Sequence, residues 1–175
     1  MSNSSSSHHA APEPRIVLRP ITPADDAAVA DLIRDVMTEY GASGPGFAIH
    51  DPEVVRMSGA YPGGRAQYLV VEWNGEVAGG GGFGPLAGLP ADTEVCELRK
   101  MYFRPPLRGR GIGRRLLGDL LERMRGAGFR RCYLETTSRM REAQQLYRKL
   151  GFRQLEGPMG GTGHHGCNTF YLRDL

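Results

Sequence analysis

The sequence contains few cysteines, no long apolar run and neither of two common nucleotide-binding motifs. Its three cysteines, Cys96, Cys132 and Cys167, include no Cys-x-x-Cys pair, which argues against a disulfide framework and a four-ligand zinc site. No apolar stretch approaches the about 20 residues of a membrane-spanning helix, and the first residues lack the basic and apolar segments of a secretory signal. These absences predict a cytoplasmic protein in a reducing compartment, without a membrane partner.

Lysine is also scarce, because 20 of the 22 basic residues are arginine. Residues 99–153 carry 16 bases and four acids, a net charge of +12, whereas the remainder carries six bases and 15 acids, a net charge of −9. This asymmetry indicates a polyanionic ligand, either nucleic acid or a multiply phosphorylated cofactor. The basic region lacks the interleaved aromatic residues of single-strand-binding platforms, so nucleic acid is not an expected partner.

The length of 175 residues suits one domain, since about 150 residues per domain is the usual prior. Residues 1–14 are rich in serine and interrupted by proline, which predicts a disordered tail. Residues 15–175 are expected to form the single folded domain.

Hydrophobic periodicity and turn residues predict an α+β domain with a mixed, mostly antiparallel central sheet flanked by helices. Asn74 and Gly75 predict a tight hairpin turn between two strands. The glycines of residues 79–82 indicate either a weakened, bulged strand or the close approach of another segment. A right-handed strand–helix–strand unit is expected over residues 93–136. The remaining strands are predicted at residues 15–19, 152–156 and 169–173, and the remaining helices after Thr22, over residues 52–57 and over residues 139–150.

A glycine-rich turn, Leu-Arg-Gly-Arg-Gly-Ile-Gly over residues 107–113, separates the strand at residues 93–103 from an amphipathic helix. Such a turn surrounds a small volume with backbone N–H groups and the positive end of a helix dipole, which suits a pyrophosphate. The dinucleotide fingerprint would require glycine where Arg114 stands, and the Walker pattern is absent. NAD and ATP are therefore not the expected ligands.

Four segments then occur in order: ELRKMYF, RGRGIG, YLET and AQQLYRKLGF. With these segments the chain resembles the GNAT superfamily of acyl-CoA-dependent N-acyltransferases over about residues 15–175. The resemblance implies an N-acetyltransferase that moves an acetyl group directly, in a ternary complex, from acetyl-CoA to a primary amine of a small molecule or amino acid. Two alternatives remain open: a protein N-terminus or lysine as acceptor, or a non-catalytic CoA-binding regulatory module. A monomer or a homodimer is expected.

The resemblance also implies roles for individual residues. Glu97 and Glu135 match general-base positions in different branches of the family, and Tyr147 matches the general acid near the CoA sulfur. Met140 stands where the family often has an asparagine that contacts pantetheine, so that contact is not expected. The backbone of Met101, Tyr102 and Phe103 is expected to pair with pantetheine, and the pyrophosphate is assigned to Arg108, Gly109, Arg110, Gly111, Ile112, Gly113 and Arg114.

The acceptor pocket of the family lies between two loops, which correspond here to residues 40–51 and 157–168. His164, His165 and Cys167 are therefore expected to bind the acceptor. These three residues fall within four positions of a glycine-rich loop and lack the usual spacing of metal ligands. No metal is expected in this protein.

Overall fold

The computed structural model describes residues 13–175, and the predicted tail at residues 1–14 therefore lies largely outside the described part. One seven-stranded sheet has the order β1-β2-β3-β4-β5-β7-β6. Among the described residues, β4 and β5 form the one parallel pair, which confirms the mixed, mostly antiparallel α+β prediction. The strands are β1 (Ile16–Pro20), β2 (Gln67–Trp73), β3 (Glu76–Pro85), β4 (Val95–Phe103), β5 (Arg131–Thr136), β6 (Arg153–Leu155) and β7 (Thr169–Asp174).

Helices cover both faces of the sheet, and none in the part between residues 13 and 175 has the length and apolar character needed to cross a membrane. The α-helices are α1 (Asp26–Glu39), α2 (Met57–Ala60), α3 (Ile112–Gly126) and α4 (Arg141–Lys149). The 3₁₀ helices are Pro23–Asp25, Ala48–His50, Pro52–Arg56 and Pro105–Leu107.

The first helix begins differently from the prediction. A 3₁₀ turn follows Thr22, and α1 starts only at Asp26. The Asp25 carboxylate accepts hydrogen bonds of 2.8 Å from both the backbone N–H and the hydroxyl of Thr22. In return, the Asp25 N–H donates a 3.0 Å hydrogen bond to the Thr22 carbonyl, so donors at the start of this turn have partners.

Strand β2 is buried on both faces, since its successive side chains point to opposite sides of the sheet. Leu69 and Val71 contact the core beneath α3, and Tyr68 and Val70 contact the core beneath α1. Two separate hydrophobic cores thus fix the sheet between α1 on one side and α3 on the other.

The glycines of β3 allow close approach by neighbouring side chains, and the strand pair is bulged as well. A Cβ atom at Gly79 would lie 2.5 Å from the Phe103 ring. Opposite Gly81, β4 has one extra residue, because Gly82 pairs with Arg99 and Gly80 with Tyr102. Lys100 lies in this bulge with a φ of 50°, a left-handed conformation that a non-glycine residue rarely adopts.

Strands β4 and β5 separate partway along their length. They pair only from Val95 opposite Arg131 to Glu97 opposite Tyr133. Beyond that point β4 continues with β3 to Phe103, and β5 continues with β7 to Thr136. The β4 edge after Glu97 therefore faces an open fork, and the candidate site is built in and beside this fork.

Candidate active site

A groove of about 560 Å³ runs from the fork to the N-terminus of α3, between the end of α1 and the face of α4. Nine of the ten residues predicted to hold a cofactor line it. They are Met101, Tyr102, Phe103, Arg108, Gly109, Gly111, Ile112, Gly113 and Arg114.

The glycines of the turn shape the end of this groove for two different reasons. Gly111, the N-cap of α3, has a φ of 76°, which favours glycine, and a Cβ atom there would meet nothing within 4 Å. Gly113 lies close to α4, because a Cβ atom there would be 3.3 Å from the Leu146 side chain. The first turn of α3 contains no acidic residue. Its free N–H groups therefore open onto the groove with a positive potential.

The arginines of the turn differ in where their side chains go. Arg108 donates a 2.7 Å hydrogen bond to Glu39 and a 2.8 Å bond to the Phe103 carbonyl, so its guanidinium joins the turn to α1. The Arg110 side chain does not line the groove, so the structure does not bring it together with the other nine residues assigned to the cofactor. It lies over the Trp73 ring, 5.0 Å from the centroid, and donates to the Pro106 carbonyl.

A second, much smaller cavity of about 50 Å³ occupies the fork itself. Glu97, Glu135, His164 and Cys167 line it, which brings together residues separated by as much as 70 positions in the sequence. The groove and the cavity are adjacent, because they have walls in common. The shared residues are Met101, Tyr102, Met140 and Tyr147.

Tyr147 stands at this junction as α4 delivers its side chain between the groove and the cavity. It is 6% exposed, and its ring lies against Phe152 and Tyr171 with centroids 5.8 Å and 6.0 Å away. Burial raises the pKa of the Tyr147 hydroxyl. The hydroxyl therefore stays protonated at neutral pH and is able to donate a hydrogen bond.

The two glutamates enter the cavity from adjacent strands with side chains that are each 4% exposed. One oxygen of Glu97 accepts a 2.7 Å hydrogen bond from Arg99 Nε. Burial raises the pKa of Glu97, and the Arg99 charge offsets only part of this effect. One oxygen of Glu135 accepts hydrogen bonds from Tyr133 (2.8 Å) and Thr162 (2.9 Å).

His164 connects the cavity to residues that the sequence analysis did not assign. Its Nε2 lies 3.0 Å from Asp51 Oδ2, and the same carboxylate oxygen accepts a 2.7 Å hydrogen bond from Lys100 Nζ. The hydrogen bond to Asp51 raises the pKa of His164, although burial opposes it. Burial alone would raise the pKa of Asp51, but the hydrogen bonds from His164 and Lys100 lower it.

Lys100 is held by two carboxylates and is almost fully buried. Its ammonium lies 2.7 Å from Asp51 and 2.6 Å from Glu53, and its side chain is 1% exposed. The bulge in β4 turns this side chain toward the segment between α1 and α2. The scarcity of lysine is the one feature of the sequence that distinguishes this residue, since Lys100 is one of only two lysines.

The neighbours of His164 on the loop behave differently from each other. The exposed side chain of His165 does not line the cavity, so the structure does not bring it together with His164 and Cys167. Cys167 does line it, and burial together with the nearby carboxylates raises the pKa of its thiol to about 12. A thiol in this state is a poor nucleophile.

Cys96 and Cys132 are fully buried in the sheet. Over residues 13–175, no three His, Cys, Asp or Glu side chains are grouped to hold a metal ion.

The two loops that flank the cavity also contact each other above it. Gly166 N–H donates a 3.0 Å hydrogen bond to the Gly46 carbonyl. The Phe47 ring lies so close to Gly166 that a Cβ atom there would be 2.6 Å from it. Phe47 and His164 both line the cavity, so these contacts and the pair formed by His164 and Asp51 hold part of its wall in place.

The model of the acetyltransferase (GNAT) family matches residues 30–152. The chain is also 42% identical to an uncharacterized N-acetyltransferase of Escherichia coli, YjgM, over 91% of this chain and 95% of that protein. The chain therefore belongs to the GNAT family and is an N-acetyltransferase.

Two other proteins are similar at lower identity. An aminoalkylphosphonate N-acetyltransferase of Salmonella typhimurium is 30% identical over 73% of this chain and 76% of its own length. The structure of the Salmonella typhimurium acetyltransferase yncA with its cofactor acetyl-CoA has a TM-score of 0.73 at 23% identity, and it covers 91% of this chain and 93% of its own. The second likeness concerns the fold alone.

Proposed function

We propose that the protein transfers an acetyl group from acetyl-CoA to the primary amine of a small molecule or amino acid. The observation that carries this proposal is the junction at Tyr147, where a long groove open to a cofactor meets an acidic cavity. A thioester in the groove and an amine in the cavity would come together at this point.

The groove has the properties that acetyl-CoA requires. Its far end is the glycine turn at the N-terminus of α3, where free N–H groups suit a diphosphate. Its near end is the edge of β4 from Met101 to Phe103, which lies beyond the last pairing with β5. This edge faces the groove and would pair with pantetheine, except at the Phe103 carbonyl, which Arg108 already binds. The net charge of +12 over residues 99–153 adds a long-range attraction for a phosphorylated cofactor.

The cavity favours a small cation. Its surroundings contain four carboxylates and two permanent cations, so the net charge is negative before His164 is counted. The carboxylates are Asp51, Glu53, Glu97 and Glu135, and the cations are Arg99 and Lys100. An ammonium ion would reduce this imbalance. The small volume of the cavity, about 50 Å³, favours a small-molecule acceptor. A related protein is named for aminoalkylphosphonates.

The side chains at the junction divide the chemistry between them. Glu97 and Glu135 draw in the ammonium, which must lose a proton before its nitrogen can attack the thioester carbon. The new C–N bond forms as the C–S bond breaks, and the CoA sulfur leaves as a thiolate. The protonated Tyr147 hydroxyl donates to that sulfur, and the second proton of the amine restores the neutral tyrosine.

A panel of small amines and amino acids tests the proposal. Incubation with acetyl-CoA is expected to release free thiol in step with one acetylated amine, which mass spectrometry identifies. Acetyl-CoA binding without turnover on any amine would instead indicate a regulatory CoA-binding module. Acetylation confined to peptide N-termini or lysines would contradict the small-molecule acceptor.

A further inference from the structure

We propose that His164, positioned by Asp51, is the group that removes the proton from the acceptor ammonium. This assignment rests on the function proposed above and adds a base to it. In this assignment His164, from the loop after β6, takes the proton, and Asp51, from the segment after α1, holds the imidazole in place.

The orientation of the imidazole ring supports this role. Its Nε2 faces both oxygens of Asp51, at 3.0 Å and 3.2 Å, so Nε2 carries the proton that this carboxylate accepts. In the neutral ring, Nδ1 then has a free lone pair. The Nδ1 atom faces Glu97 Oε1 at 4.0 Å and Glu135 Oε2 at 3.9 Å, which directs the lone pair into the cavity.

The space around Nδ1 suits one small donor. A separation of about 4 Å exceeds the about 3.2 Å limit of a direct hydrogen bond and is the kind of gap that a bridging group fills. Within residues 13–175, neither Glu97 Oε1 nor Glu135 Oε2 has a hydrogen-bond partner, whereas the other oxygen of each glutamate is bound. An ammonium in this gap would donate to both free carboxylate oxygens and to Nδ1.

Charged side chains face His164 from three different elements. Asp51 faces it from the segment after α1, Glu97 and Lys100 from β4, and Glu135 from β5. The hydrogen bond and charge of Asp51 and the charge of Glu97 raise the pKa of His164, while burial and Lys100 act in the opposite direction. An imidazole, whose ordinary pKa is about 6.5, is a stronger base than a carboxylate, whose ordinary pKa is about 4.3.

The proposed step is balanced in protons and electrons. The His164 Nδ1 lone pair takes one proton from the ammonium, which gives a neutral amine and an imidazolium stabilised by Asp51. The amine nitrogen attacks the carbonyl carbon, and its second proton ends on the CoA sulfur as the C–S bond breaks. The imidazolium then returns its proton to solvent after the products leave.

Asp51 acts through His164 and is therefore a positioning residue. The Asp51 carboxylate is held by the 2.7 Å hydrogen bond from Lys100 of β4, and it binds His164 of the loop after β6. This arrangement makes a specific prediction about titration. Replacement of Asp51 by Asn would lower the pKa of His164 without moving any group in the cofactor groove.

The experiment compares the wild-type protein with His164→Asn, Asp51→Asn, Glu97→Gln and the control His165→Asn. Histidine titrations are followed by NMR in the free protein, and kcat/KM for the acceptor is followed from pH 5 to pH 9. Acetyl-CoA binding to each variant reports an intact fold. His164→Asn is expected to lower kcat/KM about 100-fold and to abolish its rise with pH, whereas His165→Asn leaves both unchanged.

Asp51→Asn is expected to lower the pKa of His164 and to move the acidic limb of the kcat/KM profile by the same amount. The assignment is overturned if His164→Asn keeps the acidic limb, if Glu97→Gln alone removes it, or if His164 titrates identically with Asn at position 51. These results leave the proposed function standing, since they require turnover. Absence of turnover by the wild-type protein on every amine would overturn both proposals.

Discussion

The groove at the N-terminus of α3 and the cavity in the fork are built in different ways. Most of the groove comes from one continuous stretch, residues 101–114, and its end depends on backbone N–H groups and glycine conformations. The cavity has ionisable side chains at positions 97, 100, 135 and 164 in its wall, with Asp51 bound to two of them, and only the folded chain brings these residues together. A site made of backbone groups in one continuous segment can therefore be predicted from the sequence. A cluster of side chains from distant segments cannot, because it depends on where the strands separate and bulge.

The same contrast separates the functional effects of substitutions. Changes in the groove are expected to alter acetyl-CoA affinity and to leave acceptor recognition unaffected. Changes in the cavity are expected to alter the acceptor KM and the pH dependence while the Kd for acetyl-CoA stays constant.

The largest expected effect is in the groove. Gly111→Asp should weaken acetyl-CoA binding by up to about 1000-fold, because its carboxylate would repel the diphosphate proposed to bind there and because the left-handed backbone would be strained by about 1–2 kcal/mol. Isothermal titration calorimetry measures the change. Gly128→Asp is a matched control, since Gly128 has a φ of 85° and open space around it but lies beyond the other end of α3.

Tyr147→Phe should lower kcat about 100-fold, because the sulfur loses its proton donor, a contribution of the size usual for general acids. The Kd for acetyl-CoA is expected to stay within about twofold, since the phenyl ring still fills the junction. Steady-state kinetics and calorimetry test the two parts. Tyr171→Phe, a neighbour in the core, serves as the control, and an unchanged kcat for Tyr147→Phe would remove the general-acid assignment.

Glu97→Gln and Glu135→Gln test whether the cavity binds the acceptor ammonium. Each should raise the acceptor KM about tenfold, because a hydrogen bond to a charged group contributes about 1.5–3 kcal/mol when buried. The KM for acetyl-CoA should not change. Glu94→Gln, at an exposed position paired with Arg130, provides the comparison. An equal loss of acetyl-CoA affinity in the cavity variants would show that the two sites are not separable.

The smallest effect concerns stability. The pKa of His164 is raised in the folded protein, so its stabilising contribution is complete below its unfolded pKa of about 6.5 and is lost as the pH rises through the higher folded value. The difference in unfolding free energy between the wild-type protein and His164→Asn should therefore shrink above about pH 6.5. Urea denaturation at pH 6 and pH 9 measures it, and a constant difference would contradict the ion pair with Asp51.

The sequence predicted most of the fold because periodicity and turn residues report local structure. Residues 131–136 form β5 as expected, and Asn74 with Gly75 joins β2 to β3. The differences lie at element ends. Helix α4 starts at Arg141 instead of residue 139, because Met140 is the N-cap residue and its ψ of 63° is not helical.

The site was only half predictable. Glu97, Glu135 and Tyr147 were identified through the resemblance, and the structure places all three around the fork. Asp51 and Lys100 were not identified. An alternating strand pattern cannot reveal the bulge that turns Lys100 inward, and Asp51 belongs to the site through its contacts with Lys100 and His164. The two adjacent histidines also could not be told apart by sequence, since only the fold determines which one faces the cavity.

The most direct measurement is a crystal structure with bound acetyl-CoA. The account predicts that the diphosphate accepts hydrogen bonds from backbone N–H groups of residues 109–114 and that the thioester lies beside Tyr147, facing Glu97 and Glu135. A diphosphate bound elsewhere, or a thioester directed away from the fork, would contradict it.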